Sequence, residues 1–320
     1  MTGPRRPQVS VCIVTYNHAR YIADCLLSVL SQDVDADLRV IVGDDGSSDG
    51  TSAIVAEIAA AWPGKVEHTV HAERHGPIGN LRFTVGRAEG DYIAHLDGDD
   101  FWLPGKLREQ LALLADHPES PACCTNAFVF DDARRAVGVF TNAQPGPYDL
   151  EALLVRGNFL NHSSLLYRAS HRSMVLALPD PFIDYRIHLG LAQSGPMLYT
   201  DKVLAGYRAG AVGSMLATAN ESVRERYFEA IAAAVERVPG DVRMAACADM
   251  LRRVTFRAIA SRSPALLRSW WPRLRALAGG SSSGLIARAS AGLAAEACRQ
   301  SIQIVGRALL RSRLRVLYFR

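Results

Sequence analysis

Asp97, Gly98, Asp99 and Asp100 crowd three acids into four residues, directly after the apolar run 92–96. Like charges this close repel unless a cation or tight hydrogen bonding compensates. Gly98 lets the backbone turn sharply or approach a ligand. One or two carboxylates, completed by phosphate oxygens and water, suit a hard divalent ion such as Mg²⁺; an acidic turn with solvated charges is the alternative. Asp44 and Asp45 follow a second apolar run, ahead of Gly46-Ser47-Ser48-Asp49. Ser47 or Asp49 there suits a helix cap, whereas an acid at the strand end can accept from a base N–H or a ribose hydroxyl. Asp184 precedes the apolar stretch 187–192. It is placed either to favour a helix dipole or to act as a general base. His95, His162 and His188 read as packing or hydrogen-bonding residues.

Such acids act together only if the elements around them bring them together. Residues 9–14 form a short β-rich apolar run, as in a buried strand. Ile22, Leu26, Val29 and Leu30 fall at i, i+4, i+7 and i+8, one apolar face of a helix. Residues 38–42 read as the next strand, Ile54, Ile58 and Trp62 mark a second helix, and 66–70 and 92–96 supply further strands. Leu107, Leu111 and Leu114 place a helix after Pro104. The alternation predicts an α/β fold, a mainly parallel sheet with helices on both faces. Ligands of such sheets bind beyond the carboxyl ends of the strands. The polar clusters 15–17, 44–47 and 97–100 all lie there.

The chain has 320 residues, 49% apolar and 21% charged, which is material for about two domains. Its 25 Gly and 15 Pro are too few for a fibrous or disordered chain. The net charge of +4 conceals an asymmetry. Residues 1–220 hold 18 Lys and Arg against 25 acids, whereas 221–320 hold 18 Arg against 7 acids. A boundary near 220 is therefore expected, with different partners on its two sides. From 221 onward Ala, Arg and Leu recur at helical spacing, broken at Pro239-Gly240, Ser263-Pro264 and the Gly/Ser stretch 279–284, which predicts three or four helices. Six cysteines form no C-x-x-C pair, as expected of buried thiols in a reducing cytoplasm. The run 9–14 is too short for a signal-peptide core, and no stretch approaches the roughly 18 apolar residues that span a bilayer.

Taken in order, these segments resemble the family 2 glycosyltransferases, whose nucleotide-sugar domain has the GT-A, Rossmann-like fold. The match runs through Val11-Cys12-Ile13-Val14-Thr15-Tyr16-Asn17, Gly43-Asp44-Asp45-Gly46-Ser47 and Leu96-Asp97-Gly98-Asp99-Asp100, with Lys106 and Gln110 following. Ile183-Asp184-Tyr185 and Gly206-Tyr207-Arg208 look like the closing segments, so the resemblance covers roughly residues 8–215. It implies that Thr15, Tyr16 and Asn17 flank the nucleotide and that Asp45 accepts from the base. Asn80 and Arg82, in the loop segment before Gly90, contact the nucleotide. Asp97 and Gly98 lie by the ribose, and Asp97 and Asp99 hold Mg²⁺ or Mn²⁺ on the diphosphate. Asp184 is the general base, although Ile183 stands where the family usually carries another acid. Tyr207-Arg208-Ala209-Gly210 lacks the histidine of the family's Tyr-Arg-x-His ending.

The implied activity is inverting, metal-dependent transfer of a sugar from a nucleoside-diphosphate donor, most commonly UDP-linked. The acceptor would be a hydroxyl of a lipid-linked or cell-surface glycan precursor. Two other classes share part of this pattern. Nucleotidyltransferases place a Gly-rich basic loop after the first strand, and Thr15-Tyr16-Asn17-His18 is neither. A non-catalytic nucleotide-binding scaffold would have no need of the acids at 45, 97, 99 and 184.

Residues 251–320 carry 14 Arg, no Lys and one acid, Glu296. Arg307, Arg311 and Arg315 read as one stripe of a final helix, with Ile302, Val305, Leu309 and Val316 on another. Trp270-Trp271 is flanked by Arg268, Arg273 and Arg275. A cytoplasmic protein is expected, and basic amphipathic helices with interfacial tryptophans can lie peripherally on an anionic membrane. A solvated bundle face, docking on the acidic domain and pairing into a homo-oligomer are the alternatives. Nucleic acid is not expected, since no reading motif accompanies the charge.

Overall fold

The computed structural model describes residues 5–209, 221–310 and 315–318. Its first half alternates strand and helix: β1 (Gln8–Thr15), α1 (Ile22–Leu30), β2 (Asp37–Asp44), α2 (Thr51–Ala61), β3 (Val66–Val70), α3 (Gly76–Arg87) and β4 (Tyr92–Asp97). Next come β5 (Phe101–Trp102), α4 (Lys106–Asp116), β6 (Ala122–Phe130), β7 (Ala136–Thr141), β8 (Gly146–Tyr148) and α5 (Leu150–Arg156). β9 (Leu166–Arg168), α6 (Arg172–Leu176), α7 (Asp184–Ala192) and the long β10 (Met197–Arg208) complete this part. Four helices follow, α8 (Glu221–Ala234), α9 (Gly240–Ala260), α10 (Pro264–Ala278) and α11 (Ser282–Leu310), then a strand β11 (Arg315–Tyr318). The helix breaks fall where Pro239-Gly240, Ser263-Pro264 and the Gly/Ser stretch place them.

Side chains along a strand point alternately to opposite faces, and this sorts the core into two. Val9, Val11, Ile13, Val40, Val42, Ala94 and Leu96 face α1, α2 and α4. Cys12, Ile41 and Ile93 face the other way, onto α3, α5 and α7. Helices therefore cover both faces, and α8, α9 and α10 join the second layer through Ala230, Val242, Leu251 and Trp270. Each fully buried Leu, Ile or Val contributes about 1.5–3 kcal/mol relative to exposure.

The 11 strands of the described residues form one sheet, ordered β11-β7-β6-β9-β4-β1-β2-β3, with β10 pairing β5, β6 and β8. The block β3-β2-β1-β4 is parallel throughout. Beyond β4 the pairing is mixed, with β9 antiparallel to β4 and β6 while β10 runs parallel to β6. The register sets Thr15 against Asp44 and Val14 against Asp97, so three strand ends and their polar loops meet at one edge.

Three expectations change. Residues 76–87, including Asn80 and Arg82, form α3 rather than a loop. Trp270 is no membrane anchor: it is 1% exposed, and its indole N–H donates to Glu221 Oε1 at 2.6 Å. Arg273 pairs with Glu225 and lies over the Phe228 and Trp270 rings. The final helix does not extend to 315, because Arg315 opens β11, parallel to β7; Arg311 lies outside the described residues. No helix among the described residues is long and apolar enough to cross a membrane. Five cysteines are buried free thiols, and Cys298 is exposed.

Candidate active site

The loops after β1 and β2 are stitched to each other. Asn17 adopts a left-handed conformation, φ 56°, which asparagine tolerates. There it accepts from Ser48 N at 2.8 Å, while its own N–H donates to Ser47 Oγ at 2.9 Å. Asp49 accepts from Ala19 N and from the Thr51 hydroxyl at the start of α2. Asp44, buried, closes its turn by accepting from Ser47 N and Ser52 Oγ. Asp45 is 2% exposed and accepts from His75 N at 2.6 Å and Gly76 N at 3.0 Å, an anion at the N-terminus of α3. Arg74 approaches Asp45 at 3.6 Å and stacks 3.7 Å over the Tyr16 ring.

Gly98 sits where no side chain fits. A Cβ there would lie 2.7 Å from Thr15 Cβ and 2.9 Å from His18 Nδ1. This close approach brings the acid turn against the first loop. The result is a cavity of about 760 Å³ bordered by Thr15, Tyr16, Asn17, Asp45, Arg74 and Asp97 among others, large enough for a nucleotide.

The acids of the turn differ in environment. Asp100 is buried and accepts from Ser163 Oγ at 2.6 Å and Arg208 N at 2.8 Å. Burial, with Asp99 and Asp97 nearby, holds its carboxyl well above the usual range. Asp99 accepts from Arg208 Nε and Nη2 at 3.0 and 2.7 Å, both on Oδ2. Arg208 reaches Asp132 as well and lies over the Tyr21 ring at 4.2 Å. Burial first, then the charges of Asp99 and Asp184, push Asp97 up to about 7, offset in part by Ser163. Among the described residues no group of three or more His, Cys, Asp or Glu forms a closed cation cage. The donor set fits a hard divalent cation nevertheless: Asp97 carries a like-charge load that Ser163 offsets only in part and a cation relieves, and two carboxylates leave positions for phosphate and water.

A second cavity, of about 260 Å³, adjoins the first through Val14, Pro77, Asp97, Asp99 and Arg208, and carries Asp184 on its wall. Asp184 opens α7, where an acid is favoured by the helix dipole. Asn158 donates through Nδ2 to both its oxygens at 3.2 Å and meets His188 Nδ1 at 3.1 Å through Oδ1. Burial pushes His188 down to about 4, so it is neutral near pH 7. Asp184 thus sits oriented beside the Asp97–Asp99 turn, facing shared space.

The profile described as glycosyl transferase family 2 matches residues 10–169, half of the chain. The chain belongs to that family. An uncharacterized protein of Mycobacterium tuberculosis is 28% identical over 207 residues, 64% of this chain and 60% of that protein. The Bacillus subtilis putative glycosyltransferase EpsE is 31% identical over 51% of this chain and 57% of its own length. The chain thus spans under two thirds of these relatives. Among solved structures, Staphylococcus aureus TarS 1–349 in complex with UDP-GlcNAc superposes with a TM-score of 0.58 at 15% identity, covering 84% of this chain and 91% of that one. The Pyrobaculum calidifontis mannosyltransferase PcManGT, in complex with GDP-Man and Mn²⁺, gives 0.58 at 18%, covering 91% and 80%. At these identities the likeness is one of fold, and that fold is GT-A.

Within this family 2 member, Thr15, Tyr16, Asn17, Asp45, Asp97, Gly98 and Asp99 gather at the strand ends, and Asp184 joins them from α7. Asn80 borders the larger cavity as well, whereas Arg82 borders neither. Asn80 is buried, donating to Gly43 O at 2.8 Å and bonding His71 Nε2 at 3.0 Å, so it packs α3 against β2. Arg82 is tied to Asp180 and Leu178 O and anchors the approach to α7. Residues the sequence reading missed are Arg74, Asn158 and Ser163. The contacts of Asn158 and Ser163 join segments 26 and 63 residues apart, so no local pattern announces them. Arg74 lies just ahead of an unrecognised helix.

Proposed function

We propose that the chain transfers a sugar from a nucleoside-diphosphate sugar to a hydroxyl acceptor, with inversion at the anomeric carbon. The observation that carries this is the joint lining of one cavity by Asp97, Asp99 and Asp184, open to a nucleotide-sized cavity. The nucleotide-sugar complexes of TarS and PcManGT support it. The base would lie by Tyr16, where Asp45 offers an acceptor beside the Arg74 donor. That pairing suits uracil, whose N–H is flanked by two carbonyls, and so favours a UDP-linked donor.

Asp97 and Asp99 would hold Mg²⁺ or Mn²⁺, which when bound would neutralise charge on the diphosphate as it leaves. Arg208, on Asp99, supplies a fixed positive charge at the same point. An acceptor hydroxyl, whose pKa lies far above 7, needs its proton removed as it attacks. Its oxygen bonds the anomeric carbon while the bond from that carbon to the phosphate oxygen breaks, and the proton passes to Asp184. A carboxylate in that role commonly contributes about 10²–10⁴-fold. Asn158 keeps both oxygens of Asp184 directed, and Ser163 ties Asp100 to the turn.

We assign the catalytic unit to residues 1–220. For the helices from 221 we propose peripheral contact with anionic lipid through the corner of α9 and α10, in place of Trp270. Phe256 is 53% and Ile259 69% exposed there, beside exposed Arg257, Arg262 and Arg268. No acid occurs between Asp249 and Glu296. Phe256→Ser with Ile259→Ser should abolish sedimentation with anionic vesicles; unchanged sedimentation would exclude this face. The transferase assignment is tested by nucleoside-diphosphate release from a panel of nucleotide sugars, with and without Mn²⁺. Nucleotide binding without release from any donor would favour the scaffold alternative.

A further inference from the structure

The smaller cavity has a composition that an acid-lined transfer site does not by itself require. Past Asp184 its walls are Phe182, Tyr207, Tyr227 and Tyr318. Tyr227 comes from α8 and Tyr318 from β11, both outside the residues matched by the family profile. Tyr318 is held there by the sheet: β11 pairs with β7, and its ring lies 4.8 Å from Phe140, which in turn meets Tyr207 edge-on at 5.1 Å. Burial pushes the Tyr318 phenol well up, so it presents a neutral ring and a hydroxyl donor.

Buried polar atoms among these rings lack partners. Asn161, 2% exposed, lines the cavity, and no hydrogen-bond partner among the described residues meets its Oδ1. The same holds for both ring nitrogens of His162, which lines the cavity too. A buried polar atom without a partner is costly, so such atoms mark a place where a ligand or water completes the set. Aromatic faces beside unpartnered polar atoms are what a pyranose ring requires. Its C–H face packs on the rings while its hydroxyls reach the polar atoms. At about 260 Å³ the cavity lies below the span of roughly 300–1,000 Å³ typical of drug-sized ligands, which suits one ring.

We infer that this cavity is the acceptor subsite and that the acceptor group it takes is a pyranoside. Tyr318 and Tyr227 form its aromatic platform, Asn161 and His162 meet its hydroxyls, and one hydroxyl faces Asp184. The inference rests on the transferase assignment for its chemistry, but not for binding.

Binding is therefore tested separately, by saturation-transfer NMR of 4-nitrophenyl pyranosides with the full chain and UDP. Ring-proton signals are expected, lost in Tyr318→Ala and kept in Tyr318→Phe. In turnover, Tyr318→Ala should raise the KM for the pyranoside at least tenfold. The KM for the donor and the slow hydrolysis of donor by water should stay within twofold. Absent ring-proton signals, or Tyr318→Ala indistinguishable from the parent, would overturn the inference. Equal loss of donor hydrolysis would overturn it as well, by giving the cavity to the donor sugar. Pyranoside binding without any donor turnover would leave the subsite standing and remove the transferase assignment instead.

Discussion

The two walls of the site are built by opposite means. On the strand-end wall the polar side chains are held by the backbone: Asn17, Asp44, Asp45 and Asp49 are each fixed by backbone N–H groups. Glycine at 98 allows the loops to touch. On the helix-borne wall, Asp184 is held by the Asn158 amide and the Tyr185 N–H, rings line the space beyond, and Asn161 Oδ1 and the His162 ring nitrogens meet no hydrogen-bond partner among the described residues. The first wall falls within residues 10–169; Asp184, Tyr227 and Tyr318 do not. A wall fixed by backbone hydrogen bonds suits a ligand read by its polar groups, and an apolar one suits a ligand held by packing.

The sharpest way to break this comparison is at Asp184. Asp184→Asn should lower transfer by roughly 10²–10⁴-fold with nucleotide affinity retained, measured by diphosphate release and calorimetry. Retained turnover would move the base elsewhere. Asn158→Ala should lower kcat about tenfold, the worth of a hydrogen bond to a charged group of about 1.5 kcal/mol, with nucleotide affinity unchanged. Equal loss of nucleotide affinity would mean that the two walls are not independent. Gly98→Ala tests the other side. Its Cβ must displace Thr15 and His18, for about 1–3 kcal/mol of stability and a melting temperature lower by several degrees.

Away from both walls, the expected effect is one of pH. Lys106 is buried, donating to Gln110 Oε1 at 2.7 Å and lying 3.8 Å from the Trp102 ring centre. Burial pushes its amine down to about 7 from 10.5. Between those values the unfolded chain binds the proton and the folded one does not, so stability rises with pH across that window. Lys106→Met should flatten the rise, followed by melting temperature from pH 7 to 10. A slope unchanged by the substitution would place its origin in another group.

What the sequence disclosed follows the range of each interaction. Strands β1, β2 and β4 and helices α1, α2 and α4 are legible because their apolar spacing is local. So are the breaks between α8, α9, α10 and α11, written in Pro and Gly. Helix α3 was hidden by Gly76, Pro77 and Gly79, which read as a loop although Pro is suited to a first helical turn. Strand β11 was hidden because Arg315 continues a four-residue arginine spacing, and only the neighbouring β7 edge makes it a strand. The carboxylates were legible as types at strand ends. Their orienting partners, Ser163 and Asn158, exist only once distant segments are folded together.

The shared core of α5, α7, α8 and α9 has a consequence for inheritance. Leu153, Tyr185, Ala230, Val242 and Leu251 belong to a single apolar cluster spanning both sides of residue 220. A helical region exchanged between relatives must bring matching counterparts to α5 and α7 or leave apolar surface bare. New acceptor walls should therefore arise by drift of their lining side chains within a fixed helical frame, more readily than by shuffling whole segments.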